Sequence, residues 1–66
     1  MKAKFYGMLM QFTKGTTPCR KHLIRHYSAE LIDEAVELGY IVQIRTNETG
    51  DPVYAITDKG KELRDR

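Results

Sequence analysis

The sequence predicts an α+β domain in which three helices precede a two-stranded hairpin and a short C-terminal helix. Three observations carry this. The stretch from Ser28 to Gly39 has a cap, an apolar stripe and a stop. Two short segments of alternating polarity flank a cluster of turn residues, and the first dozen residues space their apolar side chains as a helix does. Sixty-six residues make one small domain, and a core of that size leaves only a few kcal/mol of net stability, so a dimer or a bound partner would be in keeping with it.

Phe5, Met8, Leu9 and Phe12 stand at i, i+3, i+4 and i+7, which predicts a first helix from about Lys4 to Thr13 with one side on a core. Tyr6 and Met10 widen that side beyond one buried face and offer a self-association surface. Gly7 weakens the helix by roughly 1 kcal/mol relative to alanine. Lys14 and Gly15 close it. A second helix is expected from Pro18 to about His26, with Thr17 as N-cap and Pro18 where its missing amide proton costs nothing. Cys19, Leu23 and Tyr27, with Ile24 adjoining, form its apolar side, and Arg20, Lys21 and Arg25 its polar side.

Ser28 begins the third helix, because its hydroxyl can take an orphan amide proton of the first turn and Glu30 suits the positive end of the dipole. Leu31, Ile32, Ala35, Val36 and Leu38 make the stripe, and Gly39 supplies the left-handed stop. Val42 and Ile44 then alternate with Gln43 and Arg45, and Tyr54 and Ile56 with Val53 and Ala55, around Asn47, Gly50, Asp51 and Pro52. That is an antiparallel hairpin with a loop longer than two residues. Thr57 can cap a last helix containing Lys61, Glu62 and Leu63, with Leu63 turned to the core.

Hydrophobic residues at 41% and charged residues at 30% fit a folded chain and not a disordered one. No run approaches the ~20 apolar residues needed to cross a bilayer, and the start lacks the features of a signal peptide. One cysteine, Cys19, makes no internal disulfide, so the expected compartment is the cytoplasm. Charge is uneven along the chain. Six basic residues (Lys2, Lys4, Lys14, Arg20, Lys21, Arg25) and no acid precede Ser28, whereas from Ser28 to Ile56 six acids face Arg45 alone. The last ten residues are again mildly basic through Lys59, Lys61, Arg64 and Arg66.

The order of elements resembles the winged-helix variant of the helix-turn-helix. Its most telling residues are ELGYI, Glu37 to Ile41, at the passage from third helix to hairpin, and YAITDKGKEL, Tyr54 to Leu63, which looks like the close of the second wing strand. The resemblance implies a three-helix core with a two-stranded wing and a role in transcription control through DNA. The segment from Arg20 to Arg64 is also similar, in spacing and at a few positions, to a small podophage protein that restrains host RNA polymerase carrying the stationary-phase sigma factor.

In that family the third helix enters the major groove, where its exposed side chains read base edges. Here Glu30, Asp33, Glu34 and Glu37 would occupy that face. Four carboxylates are repelled by phosphates, since nonspecific affinity comes from cations. The same face suits a basic protein surface by complementary charge. The expected function is therefore a small transcription regulator that binds and inhibits RNA polymerase or a sigma factor through the acidic third helix and the basic second helix. The alternative is a repressor that contacts the phosphates of duplex DNA through Arg20, Lys21, Arg25, Arg45, Lys59, Lys61, Arg64 and Arg66. A third reading is a structural protein that binds no nucleic acid and forms a stable oligomer through Tyr6 and Met10, whereas the regulator readings allow at most a weak homodimer.

Chemistry is set aside on the residues present. Cys19, His22 and His26 project to one side of a helix at a spacing that could present three ligands to zinc, but a structural site wants four, from separate elements. Cys19 also belongs to an apolar stripe, where a lone cysteine behaves as a small hydrophobe. A Cys-His nucleophile would need an orienting group and a pocket for which this chain has little room. The five glycines suit turns and packing and form no phosphate-cradling loop. No enzyme, cofactor or catalytic residue is expected.

Overall fold

A computed structural model describes residues 3–65, without the side chains of Ala3 and Lys14. Lys2 and Arg66, and the Lys14 side chain, each counted above, lie outside that description. The chain is α+β, with helices α1 (Ala3–Leu9), α2 (Arg20–Ile24), α3 (Ala29–Glu37) and α4 (Asp58–Arg64) and an antiparallel hairpin of β1 (Ile41–Thr46) and β2 (Pro52–Ile56). Among the described residues no helix is long and apolar enough to cross a membrane.

Helix α1 is shorter than its apolar spacing suggests. From Met10 the chain tightens into a 3-10 segment, Met10–Gly15, as helix ends commonly do, and Gly15 then turns it with a φ of 75°. The Thr16 hydroxyl donates to the Gln11 carbonyl at 2.6 Å and locks that exit. Phe5, Met8, Leu9 and Phe12 nevertheless all reach the core, while Tyr6 and Met10 stay exposed.

The expected start of the second helix at Pro18, capped by Thr17, is corrected. Pro18 precedes the helix, and its carbonyl accepts the Tyr54 amide at 3.0 Å while Cys19, in extended backbone, bridges Val53. This pairing holds Pro18 and Cys19 out of the helix, which begins at Arg20 with Cys19 as N-cap and no side-chain cap bond. The orphan amide of Lys21 is met from the hairpin loop instead, by the Asp51 carboxylate at 2.7 Å. Leu23 is buried and Tyr27 packs on the core, but Ile24 is 46% exposed and does not join it.

Helix α3 matches its capping signals, but its expected stripe is narrower, since Val36 and Leu38 are exposed. Ser28 Oγ accepts the Leu31 amide at 3.1 Å, and Gly39 takes a φ of 84° after the helix. Ile32 and Ala35 are buried. In the hairpin Ile41 and Tyr54 face the core, whereas Val42 and Ile44, at 46% and 45% exposure, lie outward, so their alternation marks the solvent side of the sheet. A register shift between Gln43 and Arg45 accompanies it. Asn47 Oδ1 organises the loop by accepting the Thr49 and Asp51 amides.

Thr57 caps α4 by accepting the Gly60 amide at 3.1 Å. Its own amide donates to the Tyr40 carbonyl at 3.0 Å, and its hydroxyl reaches the carbonyls of Gly39 and Tyr40. The start of α4 is thus sewn to the end of α3, and Leu63 packs against the core as expected. One cluster, built on Met8, Leu9, Phe12, Leu23, Ile32 and Ile41, holds the elements together, each such side chain contributing about 1.5–3 kcal/mol of burial.

Candidate interaction surface

Glu30, Asp33 and Glu37 are exposed on α3, and Glu34 is half-buried on its flank. The ridge expected to be wholly unneutralised is not. Asp33 Oδ1 accepts from Arg20 Nη1 at 2.8 Å, and Glu34 Oε1 lies 2.7 Å from Lys4 Nζ. At a helical repeat of 3.6 residues Glu30 and Glu37 are two turns apart on one line, with Asp33 and Glu34 to either side. Each flank is therefore tied to a neighbouring helix while the central line keeps its charge. Among the described residues Glu30 and Glu37 make no ion pair.

Arg20 does more than neutralise Asp33. Its Nη1 also donates to the Tyr54 hydroxyl at 3.1 Å, so one guanidinium joins α2, α3 and β2. Hydrogen bonding to Asp33, and then to Tyr54, raises the affinity of Arg20 for its proton, and the same bond holds the Asp33 carboxyl below the usual carboxylate range. A depressed folded pKa means that the stabilisation is present above the unfolded value and is lost as pH falls through the folded one, in the acid window below about pH 4. In an NMR titration Arg20→Gln should return the Asp33 transition upward towards its ordinary position. An unchanged transition would show that the pair does not form in solution.

The basic residues divide by partner. Lys59 Nζ donates to the Leu38 carbonyl at 2.7 Å and stands over the Tyr40 ring, which makes it a C-terminal cap of α3. Arg64 is held by Asp65 at 2.9 Å, which raises the Arg64 pKa and lowers that of Asp65. Arg45 donates to Thr17 Oγ1 at 3.3 Å. Among the described residues Lys21, Arg25, Arg45 and Lys61 make no ion pair, and all four are exposed. Lys21, His22 and Arg25 share the outer side of α2 around Cys19. The rings of His22 and His26 lie 6.0 Å apart, and among the described residues no three His, Cys, Asp or Glu side chains converge as a metal site.

The surface is therefore bipolar, with a narrow acidic line along α3 and unpaired cations on α2, β1 and α4. Sequence reasoning missed the pairing of the acidic flanks, whose partners lie in other helices, and it missed the capping role of Lys59. No protein-family model, curated protein or solved structure matches the chain.

Proposed function

We propose that this chain is a small winged-helix module that regulates transcription by binding a protein of the transcription machinery, RNA polymerase or a sigma factor, and not by reading bases. The observation that carries the reading is the exposed, unpaired line of Glu30 and Glu37 on α3. The two ion pairs leave two uncompensated carboxylates where four were expected, and those two occupy the centre of the face that such a domain turns to the major groove. The exposed Glu48 of the hairpin loop adds a third acid. Phosphates repel such a face, whereas a basic protein surface is attracted to it. The bridge of Cys19 to Val53 supports the winged-helix layout, since it sets a rudimentary third strand beside β2 ahead of α2.

The test is an affinity pull-down from a nuclease-treated host lysate. Glu30→Lys with Glu37→Lys should lose a polymerase subunit or sigma factor that the unaltered chain retains, and Arg25→Glu should keep it. Retention by the double variant would overturn the reading.

A second reading, a compact DNA-binding repressor, is favoured by the exposed and unpaired Lys21, Arg25 and Arg45. It requires a duplex mobility shift that weakens steeply with salt and disappears in Arg25→Glu.

A further inference from the structure

We infer that a hollow between the end of the 3-10 segment, β2 and α4 binds the phosphate of a nucleotide or of a nucleic-acid strand. None of its lining residues belongs to α2 or α3, so the inference is independent of the acidic-ridge reading. The hollow encloses about 430 Å³ and is lined by Thr16, Thr17, Ala55, Ile56, Lys61 and Arg64, among others. That size is within the range of small-ligand sites.

Its polar wall is cationic. Lys61 and Arg64 project from α4 three residues apart, and Arg45 on β1 donates to the hydroxyl of the lining Thr17. Because Thr17 Oγ1 accepts from Arg45, its own hydrogen remains to be donated. Asp65 is the carboxylate that offsets this charge, since it pairs with Arg64 and also feels Lys61. It takes Arg64 Nε and Nη2 and so fixes the plane of the guanidinium, leaving Nη1 to a ligand. Two lining cations against one carboxylate leave a net positive hollow with donors in fixed directions, which is what a phosphate oxygen requires. Ala55 and Ile56 supply an apolar floor on which a sugar or base edge can rest.

The turn at Gly15, whose φ of 75° brings Thr16 and Thr17 round to α4, builds the site from distant parts of the chain. No local sequence signal marks it.

The test is titration of isotope-labelled protein with inorganic phosphate, adenosine monophosphate and a short single-stranded oligonucleotide. Saturable amide shifts confined to the Thr16–Thr17, Ala55–Ile56 and α4 regions are expected. Lys61→Glu should weaken binding by about tenfold or more, and Thr17→Val should weaken it less while keeping the fold, whereas Glu30→Gln should leave it unchanged. Much tighter binding of the oligonucleotide with a steep loss on adding salt assigns the phosphate to a strand, and equal binding of the monophosphate assigns it to a nucleotide. No saturable shift with any probe at millimolar concentration, or shifts indifferent to Lys61→Glu in a folded variant, would overturn the inference.

Discussion

Gly60→Ala should leave the chain largely unfolded at room temperature, seen as loss of a cooperative thermal transition by circular dichroism. A Cβ at this position would stand 2.1 Å from the Tyr40 carbonyl oxygen and 2.8 Å from Ile56 Cγ1. The Tyr40 carbonyl has no room to retreat, because it already accepts the Thr57 amide and hydroxyl that fasten α4 to the end of α3. Relief therefore means breaking the cap or moving the helix, at a cost of roughly 3 kcal/mol or more. A single small core seldom holds more than about 3–5 kcal/mol in total. Gly7→Ala is the internal control. Its Cβ would meet the Tyr27 hydroxyl at 3.4 Å, an ordinary contact, so the helical preference of alanine should prevail and the midpoint should hold or rise. Equal behaviour of the two variants would mean that α4 does not dock on Tyr40.

The contrast between these two glycines shows what the sequence can and cannot disclose. Helix α3 was legible because its signals are local: Ser28 at the start, Gly39 at the end and an apolar stripe between them. Thr57 announced α4 in the same way. Pro18 misled for the opposite reason. Thr17 and Pro18 make a good helix start in isolation, but pairing of Pro18 and Cys19 with β2, over thirty residues away, outweighs that preference. Gly60 looked like any packing glycine, since only the folded chain brings Tyr40 against it. The hairpin showed the period of a strand but not which face would be covered.

The candidate surface divides along the same line. That α3 bears acids on its outer side followed from helical spacing alone. That Asp33 and Glu34 are tied down while Glu30 and Glu37 are not depends on Arg20 and Lys4 arriving from α2 and α1. The ion pairs narrow the acidic ridge to a line, which sharpens the proposal: charge reversal at Glu30 and Glu37 should matter for partner binding more than reversal at Glu34.

Leu23→Ala is the second variant expected to have a large effect, because α2 has one buried side chain. The helix is five residues long, far too short to persist without tertiary contacts, and Leu23 alone among its residues is fully enclosed. Ile24 beside it is exposed and cannot take over. Truncation removes about 2–5 kcal/mol through lost burial and the cavity left behind, so the midpoint in urea should fall by most of the native range. The Asp51 bond to the Lys21 amide and the Arg20 bond to Asp33 still tether the start of the segment, but both lie where water competes. Since α2 carries Lys21 and Arg25 and, through Arg20, steadies α3, Leu23→Ala should weaken partner capture and any DNA shift together. Charge reversals at Glu30 and Glu37 or at Arg25 should instead separate the two activities. A Leu23→Ala protein with an unshifted midpoint would show that α2 is held by its polar tethers and not by the core.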